Sequence, residues 1–282
     1  MTRFHNILLF SILLIGPCLS YELPGQWQTW EQAEGKMQCA VQNTSFQGGE
    51  HVEFKVYYNW GFVWIPAGKV TFDVEEMQDA YRITATGRSF ASYEWFFKVR
   101  DYYETIIDKH TMLPRSFIRK VNEGDYHIEE YITYDQDGQS VFSSFINNKG
   151  VKTDKNFDID GCVQDLLSVI YRLRNADVGL LRRQGELPFR LFIEDGTYDL
   201  KVLYRRQEVR NLYQLGRYNT LRITPQLLSG NVFKEGDEMY VNVTEDANRL
   251  PVYIESPVSV GAVKVYLTKY QNLRHPLTSK VE

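Results

Sequence analysis

The residues able to do chemistry are present but never in a working set. His51, His110, His127 and His275 share no metal-ligand spacing, and the chain holds no H-E-x-x-H and no C-x-x-C. His51 and His127 fall on the polar side of alternating runs, where a histidine is solvated. Gly87-Arg88-Ser89-Phe90-Ala91 approaches a nucleophile elbow, but alanine stands where the second glycine must let the turn form. No phosphate-cradling glycine loop follows any strand. A carboxylate pair for glycoside hydrolysis can be assembled by folding, yet nothing singles out two among 36 acidic residues. No catalytic residue, cofactor or metal site is therefore assigned.

Two other residue classes stand out. Cys39 and Cys162 are distant from each other, and in an oxidising compartment such a pair is expected to form a disulfide. The aromatics are the second class, at 14% of the chain. Trp60, Phe62 and Trp64 recur at every second position, and Trp95, Phe96 and Phe97 crowd a short segment after Tyr93. These six are the ligand-binding candidates: an aromatic-lined rim that takes a lipid-like or ring-bearing molecule. The competing reading is an ordinary packed core.

The elements that must carry them are strands. Val52, Phe54, Val56, Tyr58, Trp60, Phe62 and Trp64 alternate with polar residues, which predicts one long strand over 52–64, bent at Gly61, with the turn at Pro66-Ala67-Gly68. Further alternating runs are bounded by turn residues, among them the Asp-Gly pairs at 137–138 and 195–196. The pattern breaks once. Val163, Leu166, Leu167, Ile170 and Leu173 have helical spacing, which predicts one amphipathic helix over 162–174, N-capped by Asp160. The expectation is a mainly β fold: an antiparallel barrel or strongly curved open sheet of about a dozen strands with one helix.

The address is written at the start. Arg3 and His5 precede an apolar run over 7–15, Gly16-Pro17 breaks it, and Cys18-Leu19-Ser20 supplies small residues for cleavage. The run is too short to span a bilayer, and Pro17 before Cys18 argues against lipid attachment. Residues 1–20 are therefore expected to be a cleaved signal peptide, 21–48 an irregular segment, and 49–282 a single β-rich domain. The net charge of −4 is spread without a basic block, which argues against nucleic acid as a partner.

Several stretches together resemble one family. Gly49-Glu50, the alternating run to Trp60 and Ala67-Gly68 resemble the opening of the bacterial exported family known as domain of unknown function 3108. Asp165-Leu166-Leu167-Ser168 through Tyr171 and Arg174 resembles its central helix. Asp246, Asn248-Arg249, Pro251-Val252 and Val260-Gly261 resemble its closing hairpin. The resemblance implies a periplasmic β-rich protein of a Gram-negative bacterium and transfers no catalytic residue. The favoured function is non-enzymatic binding of an apolar or amphipathic envelope molecule. The alternatives are a polysaccharide-acting hydrolase that uses acidic residues, and a structural partner of an outer-membrane assembly.

Overall fold

The structure is a computed structural model that describes residues 39–60, 62–95, 97–212, 215–227, 236–258 and 261–281, with Trp60 described by its backbone alone. The expected leader, Trp27 and Trp30 lie outside these residues. The first half of the chain forms β1 (His51–Trp60), β2 (Val63–Glu76), β3 (Ala80–Ser89), β4 (Arg100–Asp108), β5 (Pro114–Glu123), β6 (Tyr126–Asp135), β7 (Ser140–Ile146) and β8 (Lys152–Asp158). Helices α1 (Ser168–Arg174) and α2 (Val178–Gln184) follow. The second half forms β9 (Glu186–Ile193), β10 (Gly196–Leu212), β11 (Gly216–Pro225), β12 (Tyr240–Thr244), β13 (Pro251–Pro257) and β14 (Ala262–Gln271).

The fourteen strands of the described residues lie in one antiparallel sheet, in the order β8 to β1, then β14 to β9. Two up-and-down meanders thus meet at β1 and β14, and the sheet's edges come from the middle of the chain. Curvature brings those edges together. Phe157 on β8 meets Phe192 on β9 edge-on, ring centroids 5.1 Å apart. Arg119 on β5 reaches Glu194 in the β9–β10 turn at 3.2 Å. No ladder joins β8 to β9 among the described residues, so the sheet is a curved open one rather than a closed barrel. Both edges are protected. Gln164 pairs its backbone with Arg190 and Phe192 of β9 at 2.9 Å each way, and β8 is exposed and charged, with Lys152, Asp154 and Lys155 along it. No helix among the described residues is long and apolar enough to cross a membrane.

The long strand expected over 52–64 is two strands. Trp60 pairs with Val63 and Asn59 with Trp64, so the chain reverses at 61–62 and Pro66 lies inside β2. The register slips where Val56 faces Gly68 and Tyr57 faces Pro66, leaving Ala67 as the extra residue of a bulge. A Cβ on Gly68 would sit 2.5 Å from the Arg88 carbonyl oxygen, so only glycine lets β2 and β3 approach here.

The helix is also shorter than its apolar spacing predicts. Residues 162–167 are irregular because Gln164 is committed to β9 and Asp165 ends that stretch. Asp165, not Asp160, caps the turn: its Oδ1 accepts from the backbone of Leu167 at 2.7 Å and Ser168 at 2.8 Å. Its Oδ2 accepts from Thr105 Oγ1 at 2.6 Å, tying the helix start to β4. The Asp160 carbonyl instead accepts from Arg190.

Residues 39–48 pack across the same end of the sheet. Phe46 is fully buried, edge-on to Tyr81 at 5.1 Å and Tyr171 at 4.8 Å. Cys39 and Cys162 form the expected disulfide, with Cα atoms 5.6 Å apart.

Candidate ligand cavity

The concave face divides into two regions of opposite chemistry. The first lies on β4–β6. Asp101, Arg119, Glu123 and Glu130 are in phase with Tyr103, Phe117, Val121 and Ile132, and all point inward. Arg119 Nε lies 3.0 Å from Glu130, with both side chains 2% exposed. Burial, together with the neighbouring Glu123 carboxyl, holds Asp101 well above the usual carboxylate range. Burial likewise raises Glu130, and it pushes Asp165 up to about 6 against its three hydrogen-bond donors. Asp101 and Glu123 are a buried carboxyl pair in direct hydrogen-bond contact, closer than the spacing a glycosidase's two carboxyls keep; they are 3% and 1% exposed, and neither cavity described below reaches them. A substrate has no path to them in this conformation.

The second region lies under the helices. β9–β13 present Phe189, Leu191, Val202, Leu221, Ile223 and Val241 inward, and α1 and α2 lay Val169, Leu173 and Leu181 over them. The two apolar surfaces do not meet fully and leave a cavity of about 180 Å³. β1 and β2 add Val52, Phe54 and Phe72. Each helix has seven residues, too short to hold itself in water, so packing and capping must position it. Asp177 Oδ1 accepts from Leu180 N at 3.0 Å to start α2, and Gly185, at φ +79°, ends it.

Two arginines enter this apolar lining, Arg174 and Arg249. Arg174 is 4% exposed and grips the buried Glu50 through both carboxylate oxygens, at 2.5 and 2.8 Å. Its Nε donates to the Asn248 carbonyl at 3.1 Å. Arg249 is half-buried and donates to the Arg174 carbonyl at 2.9 Å. The β12–β13 turn holds it at φ +45°, so Arg249 takes the left-handed position to which Asn248 is better suited by residue type. Asn248 is instead fully buried and bonds the backbone of His275 through both ends of its amide.

A second cavity, about 260 Å³, lies at the seam between β7–β8 and the β9–β10 turn. Its walls include the exposed Thr153 and Lys155, so it is open to solvent. Among the described residues no three His, Cys, Asp or Glu side chains come together as a metal site.

The aromatic candidates lie elsewhere. Phe62 projects fully into solvent at the β1–β2 turn, and Trp95 is 82% exposed. Trp64 is half-buried, with the Lys264 ammonium 4.1 Å from its ring centroid. Phe97 is buried and packs beside Gly124. Phe96 lies outside the described residues, as does the side chain of Trp60. Phe62, Trp64, Trp95 and Phe97 do not line the apolar cavity, and Phe62 stands about 30 Å along the strand direction from Val52. The sequence reading found β1's inward face, which supplies Val52 and Phe54 to the cavity; the rest of the lining comes mainly from β9–β13 and the two helices. The available signal was the apolar phase of β9–β12 opposite an amphipathic helix, two surfaces that have to cover each other.

The family model described as "Protein of unknown function (DUF3108)" matches residues 53–268. Among solved structures, a β-barrel-like protein of the domain of unknown function DUF1849 from Brucella abortus superposes with a TM-score of 0.53 at 10% identity, over 79% of this chain and 97% of that one. At that identity the likeness shows the fold alone. A Bacteroides fragilis protein described as exported, with a YmcC-like fold, aligns at 10% identity over 83% of this chain and 100% of its own, with a TM-score of 0.35. No curated protein matches the chain.

Proposed function

The chain belongs to the DUF3108 family, and from that premise we propose that it is an extracytoplasmic, non-enzymatic protein that binds an apolar or amphipathic envelope molecule beneath its helices. The observation that carries this reading is the apolar cavity of about 180 Å³ between α1–α2 and β9–β13. An engineered apolar cavity of about 150 Å³ stays dry and takes benzene, so a natural one of this kind favours a ligand over water. The Cys39–Cys162 bond supports an oxidising compartment, and the leader expected at 1–20 supports export to the periplasm. The sealed position of Asp101 and Glu123 counts against the hydrolase alternative.

The test is a melting measurement with and without toluene. The wild type should melt higher in its presence, and a variant that fills the cavity, Val243→Phe, should not respond. No shift in the wild type overturns the reading. The exposed Phe62, Val63 and Trp95 favour a second reading, contact with an envelope partner through those turns. Serine at all three should abolish that contact and leave the toluene response intact.

A further inference from the structure

We propose that the cavity takes a single alkyl chain ending in an oxyanion, and that Arg249 is the partner of that head. This rests on the reading of the cavity as a ligand site.

Shape is the first argument. The lining runs from Arg249 at the β12–β13 turn to Leu227 and Met239 beyond the far end of β12. That is about five strand positions, or roughly 17 Å. An extended alkyl chain can lie along that direction.

Charge is the second. Of the two arginines in the lining, Arg174 is neutralised by Glu50 and has its remaining donors on the carbonyls of Asn248 and Ser45. Arg249 has no carboxylate within ion-pair distance among the described residues, and its bond to the Arg174 carbonyl uses one nitrogen, Nη1. The acids that act on it from a distance are Asp177 and Asp246. Asp177 is occupied with capping α2. Asp246 accepts from Thr244 Oγ1, Asn248 N and Ser279 Oγ. Burial pushes the Arg249 guanidinium down from its ordinary value despite Asp177 and Asp246, so these distant acids offset its desolvation only in part.

Backbone is the third. A non-glycine residue at positive φ is uncommon, and here the strained residue is the cavity's unmatched cation, in a turn pinned through Asn248 to the chain at His275. The guanidinium fork fits a carboxylate or a phosphate through two parallel hydrogen bonds. Both heads share that chemistry, and the experiment separates them.

Binding of octanoate, octyl phosphate, methyl octanoate and 1-octanol is measured by calorimetry at neutral pH. The wild type should bind at least one of the two anions roughly 10- to 100-fold more tightly than the ester and the alcohol, the range for a hydrogen bond to a charged group. Arg249→Gln should bring the anions down to the level of the alcohol and leave the alcohol unchanged, and Arg249→Lys should restore part of the preference. The stronger anion identifies the head as carboxylate or phosphate. Equal wild-type affinity for octanoate, octyl phosphate and 1-octanol overturns the role of Arg249 and leaves the cavity reading standing. Binding of none of the four overturns both. The wild-type comparison of acid with ester decides the question even where a variant fails to fold.

Discussion

The inward faces of β4–β6 and β9–β12 have the same two-residue phase and belong to one sheet, yet one is sealed and the other is hollow. On β4–β6 the inward positions include Asp101, Arg119, Glu123 and Glu130. Their bonds are directional, so each fixes a distance: 3.0 Å from Arg119 to Glu130, 3.2 Å from Arg119 to Glu194. On β9–β12 the inward positions are Leu, Ile, Val and Phe, which attract without direction and tolerate a gap. The comparison teaches that the polar groups draw their half of the sheet onto itself. The apolar half is held open by two short helices fastened at their ends, by Asp165 and Arg174 on α1 and by Asp177 on α2.

The largest effect should come from the sealed half. Arg119→Met strands Glu130 and Glu194 and should cost about 3–5 kcal/mol in a urea titration, while adding Glu130→Leu should recover much of it. Equal losses from the single and double variants would mean that shape, not charge, seals this region. Next in size is the tie between the N-terminal segment and the chain leading into α1. Replacing Cys39 and Cys162 with serine should cost about 5 kcal/mol on the chain-entropy scale, read as the difference between variant and oxidised wild type. A loss below about 1 kcal/mol would show that Phe46 and its neighbours hold that segment unaided.

The third test uses pH. Asp165 binds its proton more tightly when folded, at about 6 against an ordinary value of 3.8. The stability this contributes is full below the unfolded value and is lost as pH rises through the folded one, a fall of roughly 3 kcal/mol in all, of which about two-thirds comes between pH 4 and pH 6. Asp165→Asn should flatten the curve in that window, because asparagine can still accept from Leu167 and Ser168. An unchanged slope would assign the effect to Asp101 or Glu130. The smallest effect contrasts the halves directly. Val241→Ile adds a methylene to the hollow region and should stabilise by up to about 0.8 kcal/mol. Val121→Ile adds the same group to the sealed region and should cost about 1–3 kcal/mol. Equal signs would break the comparison.

Much of this architecture was legible in the sequence. Alternation over Phe54, Val56 and Tyr58, and over Ile128, Ile132 and Tyr134, marks strands because one face of each must be buried. β8 was not legible, since Phe157 is its one apolar residue and a single residue gives no phase to read. Neither was α2, whose seven residues include Gly179 and give under two turns of periodicity. The buried charges were within reach: Arg119 and Glu123 share the phase of Phe117 and Val121, and Glu130 that of Ile128. The cavity was not. A void depends on how far two covering surfaces fail to meet, and that is a property of the whole packed set rather than of any strand in it.

β1 finds its second partner in β14, the last strand of the chain. A ribosome delivers β1 early and β14 at the end, so the middle of the finished sheet is its final part to be laid down. Through that interval β1 presents an unpaired edge, with Val52, Phe54, Val56 and Tyr58 on one face, to any other copy nearby. Pairings this distant in sequence form slowly. A transcript truncated before residue 262 therefore encodes a molecule split along its centre rather than trimmed at its rim.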